Sequence, residues 1–72
     1  MSTFLERLIE EEEELSSKVT KLSDFIESSP VYRKLEDIQK VLLCTQVNVM
    51  HTYLHILNER IYYINKTDET NR

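Results

Sequence analysis

TFLERLIEEEEELSSKVTKLSDFIE, residues 3–27, carries Leu5, Leu8, Glu12, Leu15, Val19, Leu22 and Ile26 at alternating steps of three and four. That spacing lays one stripe along an α-helix, with Phe4, Ile9 and Phe25 widening it and Glu12 as its single polar interruption. Thr3 followed by Glu6 reads as a capping box: the hydroxyl accepts from a first-turn N–H while the carboxylate reaches back to the cap. The helix is expected to stop at Ser28, Ser29 and Pro30, because proline lacks a donor and disfavours helical geometry at the residue before it. Ser29 can then cap a new helix with Pro30 in its first turn.

From Val31 to about Asn65 the apolar residues again recur at helical spacing. Leu35, Ile38, Leu42, Thr45, Val49, Thr52 and Ile56 form one seam, and Leu43, Met50, Tyr53, Leu54, Leu57, Ile61 and Ile64 mark a second surface beside it. A kink near Glu36 and Asp37 would let a short first segment swing into a longer one. Lys66 to Arg72 reads as a polar, frayed tail. The fold class is therefore all-α: a single helical domain over residues 1–72, with a first helix at 3–27 and a second helical stretch at 31–65 folded back antiparallel. Two apolar surfaces on that stretch need two neighbours. The first helix supplies one and a second subunit the other, which makes the expected form a helical homo-oligomer.

Composition narrows the function. The 72 residues hold 13 Asp plus Glu against 9 Lys plus Arg, a net charge of −4, with no glycine and one cysteine. The acidic balance argues against a coat for duplex DNA or for an anionic membrane. A lone Cys44 makes no internal disulfide, and no Cys/His cluster has zinc-ligand spacing, so a chain this short is expected to gain its stability from a core shared between subunits. Nothing resembles a signal peptide, and no apolar run approaches the roughly 18–20 residues of a membrane span, which points to a reducing cytoplasm.

The chemical groups point to binding rather than catalysis. Glu10 to Glu14 reads first as a solvated helix face that suits the dipole, with Glu14 placed to pair with Lys18; a nucleic-acid mimic or a carboxylate metal site is the alternative. Lys18 and Lys21, on neighbouring turns beside the hydroxyls of Ser16, Ser17 and Thr20, can present two ammonium groups to phosphates, although surface lysines paired with Glu14 or Asp24 would look the same. Arg7 and Arg60 would be drawn toward one end of the hairpin by antiparallel packing. His51 and His55 have the spacing of a helical metal pair but lack the H-E-x-x-H arrangement, and no metal is expected. Cys44 reads as an inert core thiol, and Tyr53, Tyr62 and Tyr63 as packing residues with a polar tip. Phe4 and Tyr32 flank the ends of the first helix, where a site between subunits can form. No Ser-His-Asp set, acid/base carboxylate pair or glycine-rich phosphate loop can be assembled, so the chain is expected to be no enzyme and to need no cofactor.

The ordered set Glu14-Leu15-x-x-Lys18-Val19-x-Lys21-Leu22-x-x-Phe25-Ile26-x-Ser28, then Leu35, Gln39, Leu42-Leu43, Gln46, Met50, Tyr53, Ile56-Leu57 and Arg60-Ile61, resembles the phage anti-CBASS cyclic-oligonucleotide sponges. The resemblance spans about Phe4 to Ile61. It implies a helical protomer assembled as a homohexamer that binds cyclic dinucleotides such as cGAMP between protomers and, in some members, cyclic trinucleotides at separate sites. It also implies action in the cytoplasm of an infected bacterial host, where capture of the signal keeps the immune effector from firing. Carried over to this chain, the base-stacking aromatic is Phe4, where the family typically has tyrosine. The phosphate-holding lysine is Lys18, with Lys21 as its rival, and the arginine of the trinucleotide site resembles Arg60. The competing expectation is a small helical adaptor or inhibitor that docks on a host or phage protein through its spare apolar and acidic faces.

Overall fold

The computed structural model describes residues 3–70, and the side chains of residues 3–67. Three helices follow one another: α1 (Thr3–Ser28), α2 (Pro30–Arg33) and α3 (Asp37–Thr70). α1 and α3 lie against each other as an antiparallel hairpin measuring 55 × 15 × 15 Å. A body only two helices thick has a single layer of core.

That core is the seam of α1 closed by one stripe of α3. Leu5, Leu8, Leu15 and Val19 are buried, as is Leu57, whose side chain has no exposed surface. Val47, Met50, Leu54, Ile61 and Ile64 pack around them at steps of three and four, so the inner stripe of α3 is itself a heptad seam. Two details differ from the sequence reading. Val47 belongs to this stripe, whereas Tyr53, one residue before Leu54 and so about 100° around the helix, stays 42 % exposed. Glu12 is half-buried within the seam of α1, alongside the equally half-buried Leu22 and Ile26.

The turn between the long helices is built as the serine-proline break predicts. The Ser29 hydroxyl accepts from the Val31 N–H at 3.1 Å, and Pro30 opens α2. The stretch expected as one kinked helix over 31–65 is instead two helices separated at residues 34–36. The Lys34 and Leu35 N–H groups turn back to Val31 and Tyr32, and the Gln39 and Lys40 N–H groups start α3 on the Glu36 carbonyl. Tyr32 fixes this elbow. Its ring meets Phe25 edge-on at 5.9 Å, and its hydroxyl lies 3.4 Å from Cys44 Sγ.

Both helix ends shift from their expected places. α1 already includes Thr3, expected as the cap, and what precedes it lies outside the described residues. α3 runs on to Thr70 rather than ending near Asn65; Lys66 to Thr70 hold no glycine or proline to break it, and the part of the expected tail at 71–72 lies outside the described residues. At about 1.5 Å per residue, the 34 residues of α3 reach roughly 12 Å further than the 26 of α1.

Candidate functional site

Five residues are the candidates for ligand contact: Phe4, Arg7, Lys18, Lys21 and Arg60. All five are exposed. The buried residues of α1 fix its inner stripe, and Phe4, Arg7, Glu11, Glu14, Lys18 and Lys21 each stand at the heptad position just before it, on one flank. The corresponding flank of α3 carries Leu42, Gln46, Val49, Tyr53, Ile56, Arg60 and Tyr63. Antiparallel helices are related by an approximate two-fold axis across the pair, which leaves equivalent flanks on the same side. The hairpin therefore presents one broad face made of a charged stripe from α1 and a mainly apolar stripe from α3.

One contact marks that shared face. The Arg60 guanidinium carbon lies 5.9 Å from the centre of the Phe4 ring, within cation–π range. The end-to-end packing expected to draw Arg60 toward the start of α1 is thus realised on Phe4. Lys18 and Lys21 are elsewhere. Fourteen residues of helix at about 1.5 Å each put Lys18 roughly 21 Å along α1 from Phe4, too far for one small ligand to touch both in a single protomer.

Charges along α1 are not consumed locally. Among the described residues, Arg7, Glu11, Glu14 and Lys18 form no ion pair with one another, so the expected Glu14–Lys18 pair is absent. Within α3, His55 Nε2 lies 4.0 Å from a Glu59 carboxylate oxygen, a contact that involves none of the five candidates. Among the described residues no group of three or more His, Cys, Asp or Glu side chains is placed to hold a metal ion. No helix among them is long and apolar enough to cross a membrane.

The apolar half of the face is extensive. Leu42, Val49, Ile56 and Tyr63 are 49–63 % exposed at successive heptad positions, with Tyr53 between them and Ile38 and Val41 beside the start of the row. An apolar row of this length on a 72-residue protein is more than scattered surface leucines would give, and it marks an interaction face. Sequence reading found this stripe as the Leu42–Val49–Ile56 seam but did not see that Tyr53, Arg60 and Tyr63 continue it. The aromatic pair Tyr62 and Tyr63, edge-on at 5.0 Å with Lys66 over Tyr62, lies where α3 overhangs α1.

The family model of Sequestin matches residues 2–63, nearly all of the hairpin. The chain therefore belongs to the Sequestin family. No curated protein and no solved structure matches it.

Proposed function

We propose that this member of the Sequestin family captures cyclic dinucleotides such as cGAMP, and at a second site cyclic trinucleotides, and so keeps these second messengers from activating CBASS-type immunity in the cytoplasm of an infected bacterial host. The observation that carries the reading is the family match over residues 2–63, which spans every residue of the ordered set that resembles the sponges. The family's name speaks of sequestration, a binding rather than a catalytic role.

The site is built from two copies. Phe4 offers a base a flat apolar ring, and Lys18, or Lys21 one turn on, offers a phosphate an ammonium group, but the two lie about 21 Å apart on one α1. A cyclic dinucleotide carries two bases and two phosphates in nearly two-fold symmetry. A two-fold interface offers each ring and each lysine twice. Stacking contributes about 1–3 kcal/mol per base, and a hydrogen bond to a charged group about 1.5–3 kcal/mol. Two of each give about 5–12 kcal/mol of contact free energy against one cost of association, whereas half the set gives at most about 6 kcal/mol against that same cost. Duplication is what turns a weak half-site into a trap. The acidic net charge is no obstacle, since groups beyond about 8–10 Å are screened by salt.

The exposed apolar row of α3 supports self-assembly, with a homohexamer as the proposed form. Arg60 is the proposed contact of the trinucleotide site, and Arg7 lines the approach to Phe4. The test is native mass spectrometry of the protein with cyclic di- and trinucleotides in excess. A hexamer carrying several dinucleotides is the expected result, and a trinucleotide mass added to it would report the second site. An assembly that stays empty would overturn the reading and leave the adaptor alternative, whose signature is one specific protein recovered from infected cells.

A further inference from the structure

His51 and His55 stand one helical turn apart in the middle of α3, and both are exposed. Each comes at the heptad position just after the inner stripe of Met50 and Leu54, on the flank of α3 opposite the apolar row of Leu42, Val49 and Ile56. Association through that row does not itself cover them, and none of the five candidate ligand contacts shares their flank. His51 makes no hydrogen bond or ion pair among the described residues, and the side chain of His55 is 74 % exposed.

We propose that His51 and His55 together chelate one divalent first-row transition ion, of the nickel, copper or zinc class, with water in its remaining positions. Residues four apart on a helix hold their Cβ atoms about 5–6 Å from each other. Two imidazoles leaning together across that gap can each set a ring nitrogen about 2 Å from a common ion, the length of a metal–histidine bond. The inference does not depend on the nucleotide reading.

The surroundings favour a dication. Glu59, one turn beyond His55, brings a carboxylate oxygen to 4.0 Å from Nε2. Because Arg60 lies over Phe4, antiparallel packing sets Glu13 of α1 roughly level with His51 on the same side of the hairpin. The two carboxylates add negative charge near the pair, and no lysine or arginine stands at the flanking heptad positions of α3 between Asn48 and Tyr62 on that side. The glutamate of H-E-x-x-H serves as the base in hydrolysis and is no metal ligand, so its absence here leaves the chelating pair intact. Cys44 is half-buried against Tyr32 and about 10 Å along the helix from His51, out of reach of the same ion. Among the described residues no group of three or more His, Cys, Asp or Glu side chains is placed to hold a metal, so the site is an open two-ligand chelate rather than a closed structural centre. Paired imidazoles suit nickel, copper and zinc, whereas magnesium and calcium take oxygen ligands.

The experiment is calorimetric titration of the full chain with nickel chloride, without nucleotide, and with magnesium chloride as the hard-cation control. One nickel ion per protomer is expected, and no binding of magnesium. His51→Ala and His55→Ala should each weaken nickel binding at least about tenfold, because the second imidazole no longer adds as an intramolecular ligand. The double variant His51→Ala/Glu59→His rebuilds a pair one turn along, at residues 55 and 59, and is expected to recover to within about threefold of the parent, since the same spacing sets the same geometry. All three positions are exposed, and circular dichroism on each variant checks that helix content is kept. The chelate is overturned if the parent takes up no nickel, if magnesium binds as tightly, if either single variant binds as the parent does, or if the rebuilt pair stays as weak as the singles.

Discussion

The guanidinium of Arg60 lies over the exposed ring of Phe4, 5.9 Å from carbon to ring centre, and joins the first turns of α1 to the far half of α3. The ring is 57 % exposed. A half-exposed cation–π pair is worth about 0.5–1 kcal/mol. A double-mutant cycle of Phe4→Ala and Arg60→Ala, read by urea unfolding, is therefore expected to give a coupling of that size. In ligand titrations the two changes should separate: Phe4→Ala abolishes cyclic dinucleotide binding with the oligomer intact, whereas Arg60→Ala costs less than about tenfold, the equivalent of about 1.4 kcal/mol. Equal losses from both would mean that Arg60 belongs to the dinucleotide site itself.

Tyr32 and Cys44 make a second test, at the elbow. The 3.4 Å contact between the tyrosine hydroxyl and Sγ comes first among the causes that raise the Tyr32 pKa above its ordinary value near 10; loss of solvent and negative charge on a nearby thiolate add to it. A raised native pKa means that the folded chain holds this proton more tightly than the unfolded chain does. The stabilisation is fully present below the ordinary tyrosine range and is lost as pH rises through the raised value. Ultraviolet titration of tyrosinate should show one of the four tyrosines ionising later than the rest, and Cys44→Ala should return it to the others. If the titration is unchanged in Cys44→Ala, the hydroxyl–thiol contact is not what holds the proton.

Much of this was legible in the sequence wherever one helix dictates its own burial. Leu5, Leu8, Leu15 and Val19 are buried because each recurs where the α1 seam turns inward, and Ser29 caps α2 because Pro30 prevents α1 from continuing. The break at residues 34–36 was harder to place, since Lys34, Leu35 and Glu36 include no glycine or proline. What fixes the elbow is Tyr32 against Phe25 and Cys44, contacts between residues distant in sequence. The extension of α3 through Lys66 was missed for the opposite reason, because a polar run without breakers continues a helix as readily as it frays. At the candidate site the meeting of Phe4 with Arg60 follows from antiparallel packing, whereas no single chain brings Phe4 to Lys18. In the proposed site their relation rests on a second copy, a matter of symmetry that periodicity along one chain does not encode.

The two stripes of α3 predict opposite mutational phenotypes, and comparing them separates folding from assembly. Leu57 has no exposed surface and sits among Leu8, Leu15, Val19 and the inner row of α3, so Leu57→Ala leaves a cavity in that core. The expected loss is about 2–5 kcal/mol, a large share of the roughly 4–11 kcal/mol that a domain of this length holds. Val49, one residue before the inner position Met50, is 63 % exposed in the protomer. Val49→Asp therefore costs the isolated hairpin little, but it places a carboxylate in the middle of the bare apolar row, where burial without a partner is expensive. Circular dichroism should show Leu57→Ala losing helix content at lower urea than the parent. Sedimentation at micromolar concentration should show Val49→Asp falling to a smaller assembly while its helix content is kept. Because burial in an oligomer also stabilises the fold by mass action, the urea midpoint of the parent should rise with protein concentration and that of Val49→Asp should not. If Val49→Asp sediments as the parent does, the subunit interface lies elsewhere and the apolar row returns to a different partner.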